Sequence, residues 1–149
     1  MDFVNDAQKR IYEKIAPWMK ELFGELAVAR EDTPAFYVHI PGASAIVQTI
    51  VWPWGDDDGT IRTLSWVVTG ADLTPECLRF LLQENADMRF GAFGVDREGD
   101  IFFAHSIVGS TCDKAELRAS VLAVAATADQ YDDKIVERWG GQRAIDQRR

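Results

Sequence analysis

The sequence predicts an α+β fold in which five strands form a mostly antiparallel sheet and the helices pack mainly on one face of it. Two observations lead to this fold class. In the first half of the chain, strand candidates are joined by connections shorter than the dozen or more residues that a parallel crossover requires. In the second half, a helix, a hairpin and a long helix each begin and end at recognisable signals. The predicted order of elements is α, three strands, α, two strands, α.

The first element is an N-terminal helix with one apolar face. Apolar residues recur there at steps of three and four, which is the spacing of a helix face directed into a core. They are Ile11, Ile15, Trp18, Met19, Leu22, Phe23 and Leu26. Pro17 interrupts this pattern, because a proline inside a helix removes one backbone hydrogen bond and crowds the preceding turn. We therefore expect either a kink at Pro17 or two short helices.

Three strand candidates follow the helix. They cover residues 36–40, 44–52 and 60–69, which are rich in β-branched and aromatic side chains. Pro-Gly at 41–42 and the acidic run Gly-Asp-Asp-Asp-Gly at 55–59 supply the turns between them. Because the turns are short, we expect an antiparallel meander.

A short helix and a β-hairpin begin the second half. Thr74 is the expected N-cap, and Pro75 occupies the first helical position, where its missing N–H costs nothing. The helix is expected to end near Asn85. Apolar runs at 89–95 and 101–108 flank a polar loop that contains a glycine, so they predict a hairpin.

The last element is a long helix. Asp113 and Glu116 form a capping box, and an apolar stripe then continues to the stop signal at Gly140 and Gly141. At about 1.5 Å per residue this helix is roughly 39 Å long. Its charged residues are expected on the solvent face. They include Asp129, Asp132, Asp133, Lys134, Glu137 and Arg138.

Composition is that of one soluble globular domain, with 149 residues, 47% apolar and 27% charged. We expect the domain to cover residues 1–141, followed by a C-terminal tail at 142–149. The net charge of −8 argues against nucleic acid as a partner, because its binding depends on clustered Lys and Arg. A membrane partner is not expected either, since no stretch approaches the roughly 18 apolar residues of a span. These features favour a cytoplasmic protein with reduced thiols at Cys77 and Cys112.

One short motif points to an alternative function. Residues 56–60 match the DxDGT motif of haloacid-dehalogenase-like phosphatases, and Asp132 and Asp133 follow in the order that such enzymes use. In a Mg²⁺-dependent phosphatase, Asp56 would attack phosphorus and Asp58 would act as acid and base. That chemistry requires the nucleophile at the carboxyl end of a buried parallel strand, whereas this segment is predicted to return as a hairpin. We therefore expect a solvated acidic turn, and leave open whether it binds a cation.

No catalytic, cofactor-binding or metal-ligating residue is predicted. His39 and His105 each fall in a strand candidate without Asp, Glu or His at ligand spacing, so structural histidines are expected. No cofactor is therefore expected, and the chain is predicted not to be an enzyme.

Aromatic residues are the remaining candidates for a binding site. Trp52, Trp54 and Trp66 are expected to cluster around one hairpin, with Trp52 and Trp66 on adjacent strands within cross-strand reach. These side chains either fill the core between sheet and helices or line an apolar patch for another chain, because tryptophan is enriched where binding energy concentrates. For the second case we predict a partner-binding surface containing Trp52, Trp54, Trp66 and Phe102.

The second half of the chain resembles a known family in the order and texture of its elements. A leucine-rich helix ends at Asn85, and a glycine-containing strand, an acidic hairpin tip, an apolar strand and a long helix with Ala-Thr-Ala-Asp before its last turns follow. This stretch, residues 78–141, resembles the C-terminal half of YbjN-type domains, which are grouped with type III secretion chaperones. The resemblance implies the secretion-chaperone order αβββαββα. It also implies a non-enzymatic module that acts as a chaperone or regulator, holds a protein or peptide client through apolar strand and helix surfaces, and is commonly a homodimer.

Overall fold

A computed structural model describes residues 1–147 of the chain. Within them, the helices are α1 (Asp6–Phe23), α2 (Pro75–Asp87) and α3 (Lys114–Trp139). The strands are β1 (Ala27–Ala29), β2 (Ala35–His39), β3 (Ile46–Trp54), β4 (Asp58–Thr69), β5 (Ala92–Val95), β6 (Ile101–Val108) and β7 (Gln142–Arg143). The α+β class and the predicted order of its main elements are confirmed.

All strands belong to one antiparallel sheet in the order β1-β2-β3-β4-β6-β5, with β7 paired to the end of β4. The five predicted strands correspond to β2 to β6, and they form the expected meander and hairpin. Strands β1 and β7 are additional, and with three and two residues they are too short to show a period-two pattern. Strand β5 is shorter than the predicted run at 89–95, because Gly91 adopts a φ of 78° and leaves the extended conformation.

Helices α1 and α3 cover one face of the sheet. Alternate strand side chains point to this covered face, among them Val51, Ile61 and Phe103, which are almost fully buried. The helices contribute Ile11, Ile15, Met19 and Phe23 from α1, and Leu117, Val121, Val124, Ala128 and Ile135 from α3. The prediction that the helices pack mainly on one face is therefore confirmed.

Helix α1 runs unbroken through Pro17, so two separate short helices do not form. The Asn5 side chain caps its start by accepting a hydrogen bond from the backbone N–H of Gln8, at 2.9 Å. Gln8 is itself buried and donates from its amide to the backbone oxygen of Val51, at 2.9 Å. These bonds tie the first turn of α1 to the middle strands.

The expectation that the charged residues of α3 are solvated is wrong for Asp132, whose exposed fraction is 1%. The hydroxyl of Ser44, in the loop between β2 and β3, lies within hydrogen-bond distance of the carboxylates of Asp129 and Asp132, at 2.5 Å from each. Burial raises the pKa of Asp132, whereas the hydrogen bonds from Ser44 lower the pKa of Asp129. The β2–β3 loop therefore covers a part of α3 that would otherwise be exposed to solvent.

Residues 142–147, expected to form a tail, lie against the sheet. In β7, Gln142 pairs with Thr69 and Arg143 pairs with Val68. Because Val68 also pairs with Ile101 of β6, β7 must lie on the β3 side of β4. The division into a domain at 1–141 and a tail at 142–149 stays a prediction, and its last two residues lie outside the described part of the chain.

Candidate functional site

The sheet face opposite the helices is not covered by α1, α2 or α3, and we call it the open face. It is formed by alternate side chains of β3, β4 and β6. These are Ile46, Gln48, Ile50, Trp52 and Trp54 of β3, Thr60, Arg62, Leu64 and Trp66 of β4, and Phe102, Ala104, Ser106 and Val108 of β6. All four predicted partner-binding residues lie on this face.

Two of the four predicted residues, Trp52 and Trp54, lie at the end of the open face next to the β3–β4 turn. Their exposed fractions are 50% and 59%, so neither tryptophan fills the core. Ile46, at the other end of β3, is 50% exposed. Large apolar side chains are more often buried, whereas about half of each of these three side chains is in contact with solvent.

The other two, Trp66 and Phe102, are directly opposite each other on β4 and β6 and are half-buried. The indole N–H of Trp66 donates to a carboxylate oxygen of Asp96 at 2.9 Å, and this bond is the main reason why the pKa of Asp96 is lowered. The guanidinium of Arg62 lies over the Phe102 ring, 5.5 Å from its centre. Both rings are thus held in place while part of their surface remains accessible.

The expected cross-strand contact between Trp52 and Trp66 does not form. The register of the hairpin pairs Trp52 with Thr60, six residues before Trp66 on β4. At about 3.4 Å per residue, roughly 20 Å separates the two positions along the strand. The tight turn between β3 and β4 sets this register, so the aromatic residues form a pair at each end of the open face instead of one cluster.

Sequence reasoning missed Ile46 and Val108, which are both exposed on the open face. The signal that could have found Ile46 is the period-two alternation of β3, because every second residue from Ile46 to Trp54 shares the face of Trp52. Val108 continues the same alternation from Phe102 on β6. The open face is therefore more extensively apolar than the four predicted residues indicate.

The acidic turn does not have the geometry that a phosphatase needs. Asp58 begins β4, and its carboxylate accepts hydrogen bonds from the backbone N–H groups of Gly59, at 2.7 Å, and Ser110, at 3.0 Å. The hydrogen bond from the Ser110 hydroxyl is the largest cause of its lowered pKa. The strand leading to the turn is antiparallel to its partner, and Asp132 is occupied by the loop that carries Ser44. Among residues 1–147, no group of three or more His, Cys, Asp and Glu side chains is arranged to hold a metal ion.

His105 is partly buried, and both cysteines are buried. The Nδ1 atom of His105 lies 2.8 Å from the hydroxyl of Ser120 on α3, and burial lowers the pKa of this histidine. Cys77 and Cys112 are buried free thiols, and burial raises the pKa of both. His39 is exposed at the end of β2.

In the part of the chain that the structure describes, no helix is both long and apolar enough to cross a membrane.

Comparisons with known proteins agree with the resemblance found in residues 78–141. A family profile described as "T3SS (YopN, CesT) and YbjN peptide-binding chaperone 1" (TY-Chap1) matches residues 11–147. A search of curated proteins found no significant match.

Two solved structures share the fold. "Crystal Structure of the ExsC-ExsE Complex" matches with a TM-score of 0.66 and 13% identity, and the match covers 87% of this chain and 96% of the other. "Structure of the HopA1-SchA Chaperone-Effector Complex" matches with a TM-score of 0.62 and 10% identity, covering 84% of this chain and 96% of the other. At these identities the likeness shows the fold, while the profile match shows the family.

Chaperones of this kind bind peptides and are not enzymes, so the phosphatase alternative is wrong. The chain belongs to the TY-Chap1 family of type III secretion and YbjN peptide-binding chaperones.

Proposed function

We propose that the protein holds an extended or amphipathic segment of a client protein on the open face, as a chaperone or as a regulator of that client. The observation that carries the proposal is the exposure of large apolar side chains along this face, with Trp52 and Trp54 at one end and Ile46 at the other. Exposed apolar patches of this kind mark interaction sites, and tryptophan supplies much of the binding energy at such sites. Similar folds have been solved as a chaperone–effector complex, which supports a client of the same kind here.

The face is a better site for the client than the β5 edge of the sheet. The side-chain amide of Asn85 on α2 donates to the backbone oxygen of Phe93 at 3.1 Å, and its oxygen accepts from the Phe93 N–H at 2.6 Å. One residue of the edge strand is thus already hydrogen-bonded on the side that an added strand would use. At the opposite edge, β1 offers three residues.

Charge gives the proposed site a preference among clients. The net charge of −8 favours basic segments at modest ionic strength, because long-range attraction raises the rate of encounter. The same charge opposes self-association through the apolar face. We place this activity in the cytoplasm, where the buried free thiols Cys77 and Cys112 are compatible with reducing conditions.

We also propose a homodimer formed through α2. The leucines of this helix are only partly packed, because Leu81 is buried whereas Leu78 and Leu82 are 40% and 69% exposed. A second copy of the chain can present the same leucines across a two-fold axis. This self-complementary patch therefore favours a homodimer. Light scattering should report twice the chain mass for the wild type and a monomer for Leu82→Glu. A monomeric wild type at high concentration overturns this part of the proposal.

A short fluorescein-labelled peptide that alternates leucine and serine tests the client site. Fluorescence polarisation should show that it binds, whereas a glycine–serine peptide of equal length should not, because only the first offers an apolar stripe to the open face. Binding should weaken in Trp52→Ser/Trp54→Ser. Equal binding of the two peptides, or affinity that is independent of the tryptophans, contradicts the proposal.

A further inference from the structure

An open cavity of about 620 Å³ lies at the end of the open face, beyond Trp66. It is lined by residues of β2, β3 and the end of β4, by the β5–β6 loop and by the segment after β7. Its lining includes Ile46, Trp66, Thr69, Glu98, Asp100 and Ile145. This volume is within the range of pockets that hold small ligands, and it is enough for a few residues of a bound peptide.

The cavity has an acidic wall. The carboxylate of Asp96 is already engaged, because it accepts hydrogen bonds from the Trp66 indole on β4 and from the backbone N–H groups of Glu98 and Asp100 in its own loop. Asp100 uses one oxygen to accept from the Gly70 N–H at 3.2 Å. Within residues 1–147, no donor contacts its other oxygen or the carboxylate of Glu98. Two carboxylates therefore face the cavity with acceptor capacity to spare.

The rest of the lining is mainly apolar. It is formed by Ile46, Trp66, Ala144 and Ile145, together with Tyr37, Gln48 and Gln147. Thr69 also lines the cavity, but it is only 8% exposed and its hydroxyl oxygen is itself enclosed, so this oxygen is not open to a ligand in the cavity.

We infer that this cavity binds an arginine side chain of the client, next to an apolar residue of the same segment. The inference rests on the proposed function and names a subsite of the open face. An arginine stem packs along apolar walls while its planar guanidinium stacks on an indole such as Trp66. The donors of the guanidinium match the carboxylates of Glu98 and Asp100. Lysine, which has a compact charge and no planar fork, fits the same lining less well.

Three labelled peptides test the inference. They share the alternating leucine–serine sequence and differ at one central position, which is arginine, lysine or citrulline. Citrulline keeps the shape of arginine and removes its charge. The wild type should bind the arginine peptide about tenfold more tightly than the citrulline peptide, as expected for one charge-assisted site.

Glu98→Gln/Asp100→Asn should remove that difference by weakening binding of the arginine peptide and not of the citrulline peptide. Asparagine at position 100 still offers an oxygen to the Gly70 N–H, so the loop is expected to keep its fold. The matched control is Glu13→Gln/Asp87→Asn, which changes the net charge equally on exposed helix positions away from the cavity. It should leave the preference for arginine intact.

Equal binding of the arginine and citrulline peptides, with both lost in Trp52→Ser/Trp54→Ser, overturns this inference and leaves the proposed function standing. An equal loss in the control variant also overturns it, because the effect is then one of net charge. If none of the peptides binds the wild type, the proposed function fails as well.

Discussion

Replacing both exposed tryptophans with serine should weaken client binding by about a hundredfold. Trp52 and Trp54 are 50% and 59% exposed. A tryptophan side chain presents up to about 250 Å², so roughly 125 Å² of each is available to a client. If the client covers half of that area, about 60 Å² at about 25 cal/mol/Å² contributes about 1.5 kcal/mol for each residue. The double variant then loses about 3 kcal/mol, and each single variant loses about a factor of ten.

Fluorescence polarisation with the leucine–serine peptide measures this loss. The matched control is Phe90→Ser, which removes an aromatic side chain that is 45% exposed and packs against His105 on the helical side of the sheet. Urea unfolding of every variant establishes that it is folded at the assay temperature, because each tryptophan also packs with its buried half. The reasoning is refuted if the folded double variant binds as tightly as the wild type, or if Phe90→Ser weakens binding equally.

Three further substitutions test the packing around the site. Asp132→Asn should raise the melting temperature at neutral pH and lose this advantage towards pH ~4. Burial raises the folded-state pKa of Asp132, so its contribution is favourable at low pH and is lost as the pH rises through that value. Asn85→Ala removes both hydrogen bonds to Phe93 and should cost about 1–3 kcal/mol in urea unfolding; an unchanged midpoint contradicts this account of the β5 edge. Gly141→Ala should cost about 1–3 kcal/mol in the same assay, because φ is 79° there and a Cβ atom would collide with the backbone oxygen of Thr69; a neutral effect contradicts it.

The main elements could be predicted because their signals are local. On β6, Phe103 and Phe102 alternate between the covered face and the open face, as the period of a strand requires. The capping signals at Thr74 and Asp113 mark the starts of α2 and α3, and in both cases the cap side chain accepts from a backbone N–H. Strong local patterns therefore gave correct types for these elements.

The errors concern relations between distant parts of the chain. Asp132 has the sequence surroundings of a solvated helix residue, and it is buried only because Ser44, far away in sequence, is brought over it. The distance between Trp52 and Trp66 depends on the register of one hairpin, in which a shift of a few residues alters every cross-strand neighbour. The cavity at Thr69 depends on the pairing of β7, whose two residues carry no recognisable pattern.

The tryptophan indole N–H signals in an NMR spectrum provide the most direct test of the open face as the client site. The chain has five tryptophans, and Trp52, Trp54 and Trp66 lie on the open face, whereas Trp18 belongs to α1 and Trp139 is buried at the end of α3. On titration with the arginine-containing peptide, we predict that the signals of the first three shift and those of Trp18 and Trp139 stay in place. Shifts of Trp18 or Trp139 without shifts of the open-face residues would place the client on the helical side and contradict the account.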